Sequence, residues 1–158
     1  MKFQQIYISF LIFSSVAAAN PSIGDSTLAL STQTIVHRIH ISKISDLNFG
    51  EASPGDGPKT IFASGVETRE NASFEVQGEP LRSFQIVLPG KNSVKMVNGS
   101  GSANREIVIQ DFNSSPSNGG SLDFNGKKIV FVGATRPAIS PNQKVGDYIG
   151  QFYVTVVY

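Results

Sequence analysis

Few side chains in this 158-residue chain have the type and spacing that chemistry requires. The two histidines are His37 and His40. An H-x-x-H pair binds a metal with both rings only when they lie on one side. In a strand, residues three apart point to opposite faces, so this pair is not expected to chelate. His37 shares the parity of Ile35, Ile39 and Ile41 and is expected near a sheet margin, whereas His40 shares that of Val36 and Arg38. A hydrolase needs a nucleophile, a base and an orienting carboxylate together. Serines are plentiful, yet none sits in a nucleophile-elbow pattern. Asp46, Asp111, Asp123 and Asp147 are scattered, each beside a strand end or turn where Asp caps backbone amides. The run "NGSGSANRE" (Asn98 to Glu106) lacks the Lys-Ser/Thr ending of a phosphate loop and reads as a hairpin tip. Sequons at Asn71, Asn98 and Asn113 are of a kind that arises by chance in Asn/Ser-rich chains. The expectation is no catalytic residue, no metal site and no cofactor.

Composition narrows the field further. The net charge of +1 gives neither a nucleic-acid footprint nor a polybasic membrane patch. Cysteine is absent, so there is no disulfide, thiolate site or thiol nucleophile. The opening "MKFQQIYISFLIFSSVAAAN" has one basic residue, Lys2, an apolar run from Ile6 to Val16, and Ala17-Ala18-Ala19. That order predicts a secretory signal over residues 1–19, cleaved before Asn20, rather than a spanning helix, which needs roughly 20 apolar residues. An exported chain with no membrane span after cleavage is expected.

The elements that must position any site read as β throughout. Period-2 alternation places Phe74 with Val76, Phe84 with Ile86 and Leu88, and Val94 with Met96, each set on one face. The runs "REIVIQDF" and "KKIVFVGA" are more continuously apolar, as in central strands or strands buried on both sides. Arg136 followed by Pro137 suits an edge or a bulge better than a central strand. "PGDGP", Asn98-Gly99, "SNGG" and Asn125-Gly126 supply the turns, and 15 glycines with 11 phenylalanines fit many short strands. The fold class expected is all-β, a sandwich spanning residues 35–158.

The two ends are read together. In "GDYIGQFYVTVVY" the residues Tyr148, Gly150, Phe152, Val154, Val156 and Tyr158 share an apolar face, and a long closing strand is expected. Residues 20–34 form a polar arm with weak alternation at Leu28, Leu30, Thr32 and Thr34. Gly24 and Asp25 separate Ile23 from Leu28 and put them in opposite parity. Such an arm pairs within its own sandwich or is donated to a neighbour along an open edge.

From about Ile39 to Tyr158 the chain resembles the bacterial family known as domain of unknown function 4402, itself similar to alternative chaperone–usher fimbrial subunits, including the common pilus major subunit. The resemblance is carried by "ISDLNFGEASPG", "SFEVQGEP" with "SFQIVLP", "VGAT" and "PNQKVGDYIGQFYVTVVY". It implies an immunoglobulin-like sandwich, exported to the periplasm, that lacks one strand. A periplasmic chaperone would fill the gap first, and the arm of the next subunit would replace it at an outer-membrane usher. On that reading Leu28, Leu30, Thr32 and Thr34 form the donor strand. Tyr148, Phe152, Val154, Val156 and Tyr158 belong to the strand bordering the groove, which the chaperone holds during export. The expected function is a non-enzymatic, pilin-like surface subunit acting in adhesion, with other copies of itself as partners. The alternative is a self-complemented, secreted or displayed binding module for glycan or protein.

Overall fold

The computed structural model describes residues 30–99 and 102–158. The expected signal over 1–19, the arm up to residue 29 with its Leu28, and Ser100 and Gly101 lie outside the described residues. Contacts divide the chain between Thr34 and Ile35. Of the first unit, residues 30–34 are described: they have no regular secondary structure and are exposed.

The second unit is all-β, with one short 3-10 turn at Ala103–Arg105. Its strands are β1 (His40–Ser45), β2 (Lys59–Thr60), β3 (Ala72–Gln77), β4 (Ser83–Val87), β5 (Val94–Val97), β6 (Glu106–Ser115), β7 (Gly119–Ser121), β8 (Lys127–Arg136) and β9 (Thr155–Val157). One sheet runs β1-β3-β8-β6-β5, with β2 added against the end of β8; the other runs β7-β4-β9. All pairings are antiparallel.

The period-2 patterns decide which side chains meet between the sheets. Ala72, Val76, Val130 and Val132 from the larger sheet pack with Phe84, Ile86 and Val156 from the smaller, and Leu122 joins them. A second cluster combines Phe49, Ile61, Val94, Ile107, Ile109, Ala134 and Ile139. Two facing sheets with inward alternate residues make a β-sandwich, as the sequence predicts. The apolar run of β8 does occupy the centre of its sheet, between β3 and β6. Bends in the ladders have identifiable causes. In β6 the register shifts between Gln110 and Asn113, where Asp111 takes a φ of 49°. This is a bulge, with one strand carrying extra residues.

Arg136 departs from the expectation of an edge or bulge. It is the last residue of central β8, pairs with Lys59, and is 6 % exposed. The fold makes this tolerable by turning carbonyls toward the guanidinium: Nη1 donates to Pro137 O (2.8 Å) and Nη2 to Gly57 O (3.1 Å). Pro137 falls just past the ladder, where its missing N–H costs no strand bond.

A strap over residues 61–71 follows β2 and lies against β8 at Gly133. The Ala63 N–H donates to Asn113 Oδ1 (2.9 Å). Its far end is folded around Asn71, which is fully buried. Asn71 Oδ1 accepts from the Thr68 N–H (2.9 Å), and Nδ2 donates to Val66 O (2.8 Å).

Candidate functional site

The closing segment, residues 148–158, is less regular than its alternation predicts. Ile149 makes an isolated antiparallel bridge to Val97, at the edge of the larger sheet. Regular pairing resumes at β9, which lies against β4 in the smaller sheet (Gln85↔Val157, Ile86↔Val156, Val87↔Thr155). The expected continuous strand therefore becomes a crossing from one sheet to the other. Two glycines explain it. Gly146 adopts a φ of 136°, and at Gly150 a Cβ would lie 3.1 Å from Met96 Cα, so the chain can press against β5 before it leaves.

The even-numbered face is the more buried one over its middle, while Gly150 and Tyr158, expected on it, are exposed. Val156 is buried, and Tyr148, Phe152 and Val154 are half-buried, while the odd-numbered Ile149 and Tyr153 are 71 % and 82 % exposed. Phe152 sits at the junction of the two core clusters. Its ring centroid is 5.2 Å from that of Phe112 and 6.4 Å from that of Phe74, the latter edge-on. Tyr148 lies at the other end, its hydroxyl accepting from Gln143 Nε2 (3.0 Å) and lying 2.6 Å from Lys144 O. Tyr158 is held at the rim: its hydroxyl accepts the Glu79 N–H at 2.5 Å, and the Arg82 guanidinium lies 4.2 Å above its ring. Such a stacked cation contributes roughly 0.5–1 kcal/mol at an exposed position.

On one side β9 has β4; on the other, no strand is present among the described residues. Residues 150–154 likewise form no backbone–backbone hydrogen bond among the described residues. Strand β1, an edge of the opposite sheet, approaches β9 directly. The half-buried Ile39, Ile41, Phe152 and Val154 pack on the first core cluster. An edge with free N–H and C=O groups beside apolar side chains is a template for a further strand. Of the expected groove residues, Phe152, Val154 and Val156 are brought together here, Tyr158 closes one end, and Tyr148 belongs to the other cluster. Leu30, Thr32 and Thr34 of the expected donor strand are exposed and unpaired in strand terms.

Two concave sites are also present among the described residues. The larger, about 640 Å³, is walled by Ser45, Asp46, Asn48, Glu67, Thr68 and Arg69. The smaller, about 250 Å³, includes both histidines in its wall. Strand parity separates them on paper, but β1 begins at His40, so the rule does not extend back to His37. Among the described residues no group of three or more His, Asp and Glu could hold a metal ion. Asp123 does cap a turn as expected, its Oδ1 accepting the N–H groups of Asn125 and Lys127 at 2.8 Å. Of the sequons, Asn71 has its amide fully buried, because it serves as a turn anchor. The sequence pattern there signals a polar Asn before a strand, with nothing to say that it faces inward.

The site thus belongs to an all-β, two-sheet domain whose distinguishing geometry is an open edge beside its last strand. The model of the family described as "Domain of unknown function (DUF4402)" matches residues 39–158, and the chain belongs to that family. No curated protein and no solved structure is significantly similar to it. Among the described residues no helix is long and apolar enough to cross a membrane.

Proposed function

We propose that the chain is a non-enzymatic structural subunit of the bacterial surface, pilin-like, that assembles by donor-strand complementation. The observation that carries this reading is the unpaired edge of β9. That edge is free of strand partners among the described residues, and half-buried apolar side chains pack near it. The occupant is the arm of a second copy, with Leu28, Leu30, Thr32 and Thr34 laid alongside β9. Main-chain pairing gives affinity, and alternate side chains give register. Leu30 is 92 % exposed in the single chain. Burying a leucine fully is worth about 1.5–3 kcal/mol, so inserting Leu28 and Leu30 provides a substantial driving force. The arm has its own alternation and no block of its own to pair with. During export a periplasmic chaperone would occupy the same edge, and an outer-membrane usher would exchange it for the arm. The resulting fimbria would act in adhesion.

A self-complemented binding module is the second reading, favoured by the polar concavity at Ser45, Asp46, Asn48, Glu67, Thr68 and Arg69. Such polar walls suit a glycan or a protein loop. The two readings separate in one experiment. Mature chain and a form lacking residues 20–34 are purified and run in SDS without heating. Strand donation gives a ladder for the mature chain and none for the truncated form. Two soluble, equally stable monomers would refute it.

A further inference from the structure

We propose that the cavity at the start of β1 is a binding site for the carboxylate or sulfate group of an acidic saccharide. It is about 250 Å³, below the 300–1,000 Å³ of drug-sized pockets and of a size for one sugar residue. His37, Arg38 and His40 come to it from the chain entering β1, Lys127 from the start of β8, and Gln77 and Asn125 add amides. Among the described residues no carboxylate lines it. The acidic groups nearby have oxygens already engaged. Glu79 Oε2 accepts the His37 N–H (2.9 Å) and lies 3.4 Å from its Nδ1. Glu75 is bonded by Gln77 and by Lys127 (3.2 Å), contacts that hold its carboxyl below the usual carboxylate range. Asp123 is turned onto the amides of Asn125 and Lys127. Arg38 and His40, by contrast, make no ion pair or side-chain hydrogen bond among the described residues. Their donors are free for a ligand. An arginine fork and an ammonium are suited to carboxylate and sulfate oxygens.

The cations of the wall are Arg38 and Lys127, and Lys127 also pairs with Glu75 (3.2 Å), so Arg38 is the group with its charge unshared among the described residues. The cavity adjoins the end of the edge closed by Tyr158, since Glu79 binds both His37 and the Tyr158 hydroxyl, but its wall contains no residue of the arm.

Ligand-observed saturation-transfer NMR on the mature chain tests it, with glucuronate as probe, glucose as its neutral counterpart and sulfate as competitor. Glucuronate should bind in the millimolar range and glucose should not. The double variant Arg38→Gln/Lys127→Gln should lose about tenfold. Equal transfer to glucose and glucuronate, no transfer up to about 10 mM, or a variant that matches wild type would each overturn the site. Displacement by sulfate far below the glucuronate concentration would overturn the saccharide assignment. Both side chains are exposed, and an unchanged thermal midpoint confirms that the variant folds.

Discussion

Replacing Gly133 with alanine is expected to destabilise the domain by about 3 kcal/mol or more, despite adding one methyl group. Gly133 lies in β8, at the centre of the larger sheet and fully surrounded. A Cβ there would overlap the Ile61 carbonyl oxygen and lie 2.9 Å from the Ala63 nitrogen. Both are backbone atoms, so no side chain can rotate out of the way. They also begin the strap over residues 61–71, whose N-terminal end is tied by the bond from Ala63 N to Asn113. Relief would require the strap to lift and give up that bond, or β8 to shift against β3 and β6. Neither is cheap in a close-packed interior. Gly90→Ala is the matched control, since nothing lies within 4 Å of its added methyl. It should stay within about 0.5 kcal/mol of wild type. Urea unfolding of the two variants reads the difference, and a stable Gly133→Ala would show that the strap does not bear on β8.

The second large effect is expected at Asn71. Asn71→Ala should cost about 2–4 kcal/mol, because it removes two buried hydrogen bonds and opens a small void. The partners left behind are the Thr68 N–H and the Val66 carbonyl, both bonded to Asn71 across a tight turn. The turn has a further tie, from the Asn71 N–H to Thr68 Oγ1 at 3.0 Å, which the alanine variant would keep. Asn71→Asp separates the two halves of the amide. It retains an acceptor for Thr68 but sets a carboxylate oxygen against the Val66 carbonyl, so it too should destabilise. Thermal unfolding and proteolysis between residues 61 and 71 are the measurements. A variant as stable and as protease-resistant as wild type would mean that the strap holds its shape without this anchor.

How much of this was legible depended on how local the signal is. Strand identity and face are local, and the even-numbered set Phe152, Val154 and Val156 reads correctly from alternation alone. The central place of β8 fits its apolar run, Ile129 to Val132, which on its own reads either as a central strand or as one buried on both sides. The route of the closing segment is different. Nothing in residues 148–158 specifies that Ile149 meets Val97 while Val156 meets Ile86 in the other sheet; those partners lie far away in sequence. Gly146 and Gly150 mark the crossing, but each also reads as an ordinary turn or strand glycine. The burial of Arg136 is not local in sequence for a related reason. Its burial depends on carbonyls of Gly57 and Pro137, and the first of these arrives from 79 residues away. The joint placement of His37 and His40 failed a parity argument because the strand starts three residues too late for it.

The assembly reading rests on the free edge of β9, and amide hydrogen exchange tests it most directly. Exchange of the segment 150–158 is measured in assembled mature chain and in the form lacking residues 20–34. Donation of the arm predicts protection of this segment at least about a hundredfold greater in the assembly than in the truncated form. Equal exchange in the two forms, or protection that persists in a full-length monomer, would contradict it.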